Sequence, residues 1–309
     1  MVDLILFGDC KETLKQFPRG SAQMCVTSPP YYGLRDYGGE ANQIGQEETP
    51  EEFVNNLVEV FREVRDVLKD DGVLWLNIGD SYYNYRPGTG GLPKQTVSRT
   101  SQDLPEQCNR RANKLDGLKE KDMIGIPWML AFALRADGWY LRQDIIWHKP
   151  NPMPESVKDR CTKSHEYLFL LSKNKKYYYD NEAIKEPVKQ DWGTRNRDAG
   201  KYHNPGTGLQ PHSGLTKSYE RKNKRDVWTI TNKPYKGAHF AVFPPDLIEP
   251  CILAGSREGD IVLDPFMGSG TTAMVAKKHN RAYIGCELHE DYASLQTDRI
   301  DSIPPQLVL

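Results

Sequence analysis

The sequence predicts an α/β fold in which a doubly wound sheet carries two inserted segments. Short apolar runs alternate along the chain with stretches whose apolar residues recur at helical spacing. One glycine-rich segment directly follows a predicted strand and opens a predicted helix, as in nucleotide-binding sheets. With 309 residues, the chain is long enough for one large domain or for a catalytic domain that carries a smaller module.

The first elements are two short strands, at residues 4–7 and 24–26. A helix is then marked by Thr49 as N-cap, Pro50 at the first helical position and Glu52 three residues after the cap. Apolar residues recur at helical spacing to position 68, and Gly72 is expected to close this unit. The run at 73–78 is predicted to be a buried strand, with Trp75 in the core.

The remaining elements follow the same alternation. A helix is predicted around 129–134, and strands are predicted at 140–147 and 167–171. The last part of the chain predicts a helix from Pro245, a strand at 261–263, a helix at 271–279 and a strand at 282–285.

Composition predicts a soluble protein with a substantial core, since apolar residues make up 38%, charged residues 27% and mean hydropathy is −0.67. No apolar run approaches the roughly 20 residues of a membrane helix, and the N-terminus lacks the basic region of a signal peptide. The six cysteines form no Cys-x-x-Cys pair, so neither a zinc knuckle nor a redox dithiol is indicated. We therefore expect reduced thiols, a cytoplasmic location and no metal site.

Charge is unevenly distributed although the formal net charge is only −1. Residues 185–236 contain twelve Lys and Arg against five Asp and Glu, and residues 85–123 contain eight against five. Both segments are polar and irregular in pattern, and the one at 85–123 is interpreted as a mobile insertion. Each is either a solvated loop or a surface that faces a polyanion.

The glycine-rich segment runs from Asp264 to Thr271 and contains Gly268 and Gly270. Such a loop lets the backbone approach a ligand, and Glu287 at the end of the next strand is placed to accept hydrogen bonds from a ribose. The GxxxxGK[ST] pattern of a phosphate loop is not matched. A dinucleotide and an adenosine ligand without a pyrophosphate both remain open.

The position of this loop is unusual because only 45 residues follow Asp264. Those residues suffice for two strands and their helices, so the rest of the sheet must come from earlier in the chain. An ordinary dinucleotide domain would begin with this strand. The order therefore predicts a circularly permuted domain.

A second constellation, Ser28-Pro29-Pro30-Tyr31, directly follows the strand at 24–26. Prolines cannot continue a strand or donate main-chain hydrogen bonds, so they stiffen a loop whose carbonyl groups can face a ligand. A hydroxyl and aromatic rings flank that loop. Two prolines after a strand are more often a turn, but the glycine loop elsewhere in the chain favours a site.

This pair of motifs resembles that of the DNA amino-methyltransferases, in which Ser-Pro-Pro-Tyr accompanies Asp-Pro-Phe-x-Gly-Ser-Gly-Thr-Thr. The catalytic motif precedes the cofactor motif, as in the permuted β class of that family. Further similar blocks lie at 8–9, 68–76, 146–151, 165–171 and 240–248. The resemblance implies a Rossmann-like, S-adenosylmethionine-dependent methyltransferase fold. It also implies a catalytic domain at 1–184 and 237–309 and a target-recognition region at 185–236.

The resemblance also implies roles for individual residues. Ser28 and Pro29 would accept hydrogen bonds from the exocyclic amine of a flipped base, with Pro30 and Tyr31 completing the loop and Tyr31 stacking on the base. The implied S-adenosylmethionine site comprises Asp9, Phe243, Pro244, Asp264, Phe266, Gly268, Ser269, Gly270, Thr271 and Glu287.

The resemblance also bears on which amine is methylated and on the partners of the protein, and it leaves alternatives for both. Ser rather than Asp at position 28 favours N4 of cytosine, and N6 of adenine is the alternative, with RNA or protein methylation more distant. The resemblance implies double-stranded DNA as the partner, and a cognate restriction endonuclease and a homodimer stay open. Six candidates for phosphate contacts are Arg195, Arg197, Arg221, Lys222, Lys224 and Arg225.

Overall fold

The computed structural model describes residues 2–33, 43–83, 117–188, 220–232 and 243–304. The strands are β1 Leu4–Phe7, β2 Ala22–Thr27, β3 Leu68–Ile78, β4 Tyr140–His148, β5 His165–Ser172, β6 Glu186–Pro187, β7 Arg221–Lys222, β8 Val227–Thr229, β9 Ile261–Asp264 and β10 Ala282–Glu287. The α-helices are α1 Cys10–Thr13, α2 Pro50–Val67, α3 Ile126–Ala136, α4 Pro245–Gly255, α5 Thr271–Lys278 and α6 Ala293–Asp301.

Within these ranges, eight strands form one sheet in the order β1-β10-β9-β2-β3-β5-β4-β8. The neighbours from β1 to β3 are all parallel, whereas β5 runs antiparallel to both β3 and β4. The strand before the glycine loop, β9, lies in the middle of the sheet although it comes late in the chain. The predicted α/β sheet is confirmed, and circular permutation stays a prediction.

Helices cover both faces of the sheet, as a doubly wound fold requires. On β3, Leu74 and Leu76 face one apolar cluster, which α2 and α3 complete, while Val73 and Trp75 face the other, which α4 and α5 complete. This alternation follows from the two-residue period of a strand. The uniformly apolar sequence at 73–76 is thus explained, because both faces of β3 are buried there.

The sequence signals at the start of α2 are confirmed. The backbone amide of Glu52 donates to the Thr49 hydroxyl at 3.2 Å, and the Thr49 amide donates to the Glu52 carboxylate at 3.3 Å. Pro50 occupies the first turn, where its missing N–H is not needed. This reciprocal capping box fixes where the helix begins.

The expectation that Gly72 closes the helical unit is wrong. The helix ends at Val67, and β3 begins at Leu68 and contains Gly72. The pairing of β2 with β3 shifts from Ala22↔Leu68 to Met24↔Val73, so a bulge lies between these pairs. A Cβ on Gly72 would lie 2.8 Å from the Lys69 carbonyl oxygen, so the close approach of this bulge requires glycine.

The second basic segment is less irregular than expected. Arg221–Lys222 pairs with Glu186–Pro187, and Val227–Thr229 joins the main sheet beside β4. Trp228 is buried, and its indole N–H donates to the Arg225 carbonyl at 2.6 Å. Residues 227–229 of the segment therefore pack on the large sheet. Residues 84–116 and 189–219, which hold most of both insertions, lie outside the described ranges.

Across the described ranges, no helix is long and apolar enough to span a membrane. Cys10, Cys25, Cys161, Cys251 and Cys286 are free thiols. Cys25 is buried in β2, as its position before the Ser-Pro-Pro-Tyr loop suggested.

Candidate active site

The candidate site lies along one edge of the sheet, where five parallel strands end. Neighbouring strands are in register near these ends: Phe7 of β1 pairs with Glu287 of β10, and Gly285 of β10 pairs with Asp264 of β9. In β2, Cys25 pairs with Leu263 of β9. Because β5 is antiparallel, its first residues reach the same edge, where Tyr167 pairs with Ile78 at the end of β3. The carboxyl edge of such a sheet is the usual ligand site. It brings together the two motifs, which the sequence separates by more than 230 residues.

Two glycines shape the loop between β9 and α5. Gly268 and Gly270 have φ of +53° and +80°, a region that favours glycine. Gly270 is the N-cap of α5, so the backbone amides at the start of this helix are presented at the sheet edge. A Cβ on Gly270 would lie 3.4 Å from the Cα of Gln296, so α6 closes the space behind the loop.

Glu287 supports the same loop from the neighbouring strand. Its carboxylate accepts hydrogen bonds from the amides of Gly268 at 2.7 Å and His289 at 3.0 Å. Burial raises the pKa of this carboxyl group, and the backbone amides oppose that shift. The predicted placement of Glu287 beside the glycine loop is thus observed, and its contact with a ribose stays a prediction.

Asp264 is buried and bonded to its own protein. Its two oxygens accept from the hydroxyls of Thr27 and Thr272, each at 2.6 Å, and one also accepts from the Phe266 amide at 3.0 Å. Burial raises the pKa of Asp264 to about 6, against the effect of these donors. The structure therefore shows Asp264 holding the β2 and β9 loops together, and its predicted cofactor contact is not needed to explain its position.

The other predicted cofactor residues lie at or beside this edge. Asp9 follows β1, and its carboxylate accepts from the Lys11 amide at 2.9 Å as the N-cap of α1. Pro244 is buried and caps α4, with Phe243 half-buried against the core. Ser269 and Thr271 are buried in the glycine loop. For all of these, the predicted cofactor contact stays a prediction.

The Ser-Pro-Pro-Tyr loop leaves the sheet directly after β2. Pro29 is buried, while Ser28, Pro30 and Tyr31 are half-buried. Gly45, with φ of +99°, packs against this loop, and a Cβ there would lie 3.1 Å from the Tyr31 carbonyl oxygen. The loop is therefore held from outside by a second turn.

The Tyr31 hydroxyl donates to the Glu166 carboxylate at 2.6 Å. Asn77 donates to the same carboxylate oxygen at 3.3 Å, and Lys149 forms an ion pair with the other oxygen. Burial, followed by the charge of Glu166, raises the pKa of the Tyr31 phenol well above its usual value. The phenol thus stays protonated and acts as a donor.

The family of the chain follows from comparison with known sequences. Residues 22–298 match the sequence model of the N6_N4_Mtase family, described as DNA methylase. The chain belongs to this DNA methylase family. Members are S-adenosylmethionine-dependent amino-methyltransferases, so the resemblance carried by the two motifs is confirmed.

Curated relatives of this DNA methylase are similar along most of its length. The type II methyltransferase M.SmaI of Serratia marcescens is 48% identical over 301 residues, which cover 96% of this chain and 90% of that protein. The type II methyltransferase M.Cfr9I of Citrobacter freundii is 46% identical over 293 residues, which cover 95% of this chain and 86% of that protein.

Solved structures share the fold of this DNA methylase. The PvuII DNA methyltransferase, titled cytosine-N4-specific, matches with a TM-score of 0.63 at 18% identity, over 96% of this chain and 88% of that chain. A putative DNA modification methylase of Thermus thermophilus, TTHA0409, was solved with S-adenosylmethionine. It matches with a TM-score of 0.60 at 24% identity, over 98% of this chain and 95% of that chain.

The residues of this DNA methylase fit S-adenosylmethionine. A glycine loop of this kind lets a ligand approach the backbone at Gly268 and Gly270, and the carboxylate of Glu287 beside it has the acceptor oxygens that a ribose requires. A loop that holds amides and a carboxylate together suits an adenosine ligand with an amino-acid tail. An adenosine ligand also agrees with the sequence, because the loop lacks the lysine with which a phosphate loop binds a polyphosphate.

Several residues that support the site were not predicted from the sequence. Gln296 donates to the Gly268 carbonyl at 2.7 Å and Arg299 donates to the Ser269 hydroxyl at 2.6 Å, both from α6. Glu166 of β5 accepts from the Tyr31 hydroxyl, and Lys149, the residue after β4, forms an ion pair with Glu166. Glu166 and Lys149 lie in the blocks 165–171 and 146–151, which resemble those of the family. Their positions in the sequence do not show which side chains meet across the sheet.

The basic candidates for DNA contact are partly engaged within the protein. Arg221 donates to the Lys185 carbonyl at 2.9 Å, and Arg225 and Lys224 pair with Glu186 at 3.3 and 3.7 Å. Arg221 and Arg225 nevertheless remain exposed. Arg195 and Arg197 lie outside the described residues, so all six stay predictions as phosphate contacts.

Proposed function

We propose that this DNA methylase is a site-specific enzyme that methylates N4 of cytosine in double-stranded DNA. Ser28 carries the proposal, because it holds the first position of the Ser-Pro-Pro-Tyr loop at the edge where β2 and β9 end. By resemblance to the DNA amino-methyltransferases, Ser rather than Asp at this position favours cytosine as the target base. N6 of adenine is the alternative target amine.

The proposed chemistry rests on positioning by this loop. Pro29 offers a carbonyl oxygen and Ser28 a hydroxyl oxygen to the hydrogens of the exocyclic amine, which turns the nitrogen lone pair away from the ring. Tyr31 supplies a ring face on which the base stacks. S-adenosylmethionine, when bound at the glycine loop, supplies an electrophilic methyl group.

No covalent bond to the enzyme is needed for this direct transfer. Cys25, the cysteine nearest the loop in sequence, is buried in β2 and burial raises its pKa well above the usual value. Its thiol is therefore a poor nucleophile. This agrees with direct attack by the amine.

The target base must leave the duplex to reach a site at this edge of the sheet. We propose that residues 185–236, including the strand pair β6–β7, contact DNA beside this edge. Their excess of Lys and Arg supports binding to the phosphate backbone. The type II relatives further suggest a partner endonuclease that cuts the same unmethylated sequence.

Identification of the methylated nucleoside tests the proposal. The purified protein is incubated with methyl-labelled S-adenosylmethionine and unmodified genomic DNA, and the digested nucleosides are resolved by mass spectrometry. Labelled N4-methylcytosine is the expected product. Labelled N6-methyladenine would overturn the choice of base, and the absence of labelled DNA despite cofactor binding would overturn the substrate.

A further inference from the structure

The β4–β5 loop, residues 149–164, lies at the edge of the sheet that carries the candidate site. The two strands are antiparallel, and β4 ends and β5 begins at this edge. At the start of the loop, Lys149 forms an ion pair with Glu166, and Glu166 accepts from the Tyr31 hydroxyl at 2.6 Å. The β4–β5 loop therefore begins beside the Ser-Pro-Pro-Tyr loop, which we propose holds the target base.

Met153 in this loop is the most exposed large apolar side chain of the described ranges, at 85%. Single exposed apolar residues are common, so exposure alone indicates no function. The position of Met153 is distinctive, because prolines stand at 150, 152 and 154 and keep the residue before each of them extended. The four steps from Lys149 to Met153 span at most about 14 Å between Cα atoms, which keeps Met153 near the site.

Hydrogen bonds and an ion pair hold the loop on both sides of this methionine. The Asn151 side chain donates to the Asn232 carbonyl at 3.0 Å and accepts from the Asn232 amide at 3.1 Å. Asn232 follows β8, in the segment that we propose contacts DNA. On the other side, Glu155 forms an ion pair with Arg160, whose guanidinium carbon lies 3.9 Å from the centroid of the Tyr82 ring. The loop is therefore held in place while the methionine side chain remains exposed.

The charge of the loop suits a polyanion. It contains four Lys and Arg residues against two Asp and Glu residues, and the side chain of Lys158 is exposed. A duplex presents negative charge along its backbone and apolar faces on each base. An exposed apolar side chain with cationic neighbours matches both parts of such a partner.

We infer that Met153 is inserted into the space that the target base vacates in the duplex, and that it thereby stabilises the flipped state. Flipping costs free energy, because the base loses its stacking neighbours and its pairing partner. Proteins that open a base step insert apolar side chains between the bases, and methionine is among the residues that do so. Its unbranched, polarisable thioether is suited to packing against base faces. The inference rests on the proposed flipping of the base.

Met153→Ala tests this inference on two duplexes that carry the sequence methylated by the wild-type protein. On the fully paired duplex, the change should lower kcat/KM for DNA by about tenfold or more, because the cost of unstacking is no longer offset. On the same duplex with a mismatch at the target base, that base is already partly free, so the loss should shrink to less than about threefold. Affinity for S-adenosylmethionine should stay at the wild-type value.

A fluorescent base measures the flipped state without methyl transfer. The fluorescence of 2-aminopurine rises when the base is unstacked, so it is placed at the target position. Saturating wild-type protein should raise the fluorescence, and Met153→Ala should raise it by less than about half as much.

Two further variants serve as controls. Met153→Leu keeps an apolar side chain of similar size and should retain kcat/KM within about threefold. Phe132→Ala removes a 46% exposed apolar side chain from α3, on a face of the sheet, and should leave kcat/KM unchanged on both duplexes. Because the Met153 side chain is exposed, Met153→Ala should unfold at the wild-type temperature, which thermal unfolding of every variant verifies.

Losses of equal size on the paired and mismatched duplexes would overturn the inference, as would wild-type rates for Met153→Ala on both. A wild-type protein that methylates the duplex without raising the 2-aminopurine fluorescence would overturn base flipping and the inference with it. Failure of the proposed function is distinguishable, because the wild-type protein itself would then transfer no methyl group to DNA.

Discussion

The Thr27 hydroxyl donates a 2.6 Å hydrogen bond to the Asp264 carboxylate, and both side chains are buried. Thr27 is the last residue of β2, directly before Ser28, and Asp264 is the last residue of β9, directly before the glycine loop. This contact therefore ties the loop that we propose positions the amine to the loop that we propose holds the cofactor. The two reacting groups must meet in line, so their relative position is part of catalysis.

Thr27→Val keeps the shape of this side chain and removes the donor. We expect the free energy of unfolding to fall by about 1–3 kcal/mol, since a buried carboxylate loses one partner. We also expect kcat to fall by roughly tenfold through misplacement of Ser28. Thr297→Val, which removes an exposed hydroxyl bonded within α6, is the matched control. Equal effects of both changes on kcat would contradict a specific role for Thr27.

The raised pKa of Asp264, about 6 against 3.8 for an ordinary Asp, makes stability depend on pH. The folded state holds this proton more tightly than the unfolded state. The resulting stabilisation is complete below pH 3.8 and is lost as pH rises through about 6. Asp264→Asn cannot ionise, so its stability relative to wild type should increase by up to roughly 3 kcal/mol between about pH 4 and pH 7.

Chemical denaturation at several pH values measures this difference. Asp70→Asn is the control, because the side chain of Asp70 is 96% exposed. A stability difference between Asp264→Asn and wild type that stays constant across the same pH range would show that Asp264 has no raised pKa.

The hydrogen bond from α6 predicts that cofactor affinity depends on a residue behind the loop. Gln296→Leu removes the 2.7 Å hydrogen bond to the Gly268 carbonyl. Loss of a bond worth about 1 kcal/mol should weaken binding of S-adenosylmethionine by about fivefold, measured by calorimetry. Asp298→Asn, on the exposed side of the same helix, should leave affinity unchanged. Equal affinities for Gln296→Leu and wild type would argue against this support of the loop.

The basic residues after β6 predict a salt dependence of DNA binding. Replacing Arg221, Lys222 and Arg225 with Ala should reduce the slope of log K against log salt by about 0.9 for each phosphate that is no longer neutralised. Lys175→Ala with Lys176→Ala is the control, because these exposed lysines follow β5 at the opposite edge of the sheet. An unaltered slope in the triple variant would show that these three residues do not contact the phosphates and that DNA binds to another surface.

Local signals in the sequence predict the elements well where each element carries its own pattern. The capping box at Thr49 and the glycine loop after β9 are examples, because short-range hydrogen bonds and backbone freedom determine them. The parallel strands β2 and β9, which precede the Ser-Pro-Pro-Tyr loop and the glycine loop, end at the same edge of the sheet, as the rule for parallel strands predicts.

Features that depend on pairing across the sheet cannot be predicted in this way. Gly72 resembles a helix end in sequence, but it fits a bulge against Lys69, which only the paired strand reveals. Trp228 lies in a segment that looks irregular because a three-residue strand has too few positions to show a period. Glu166 meets Tyr31 although 135 residues separate them, so no local pattern connects the two.

The central claim is that one edge of the sheet carries two separable sites, one for the cofactor and one for the base. Calorimetric titration of S-adenosylmethionine into Tyr31→Ala and into Gly270→Leu tests this claim most directly. We expect Tyr31→Ala to bind with wild-type affinity while methyl transfer to DNA is lost. Gly270→Leu should lose binding, because φ is +80° there and Gln296 lies behind it. Equal loss of affinity in Tyr31→Ala, or wild-type affinity in Gly270→Leu, would contradict the assignment of the two loops.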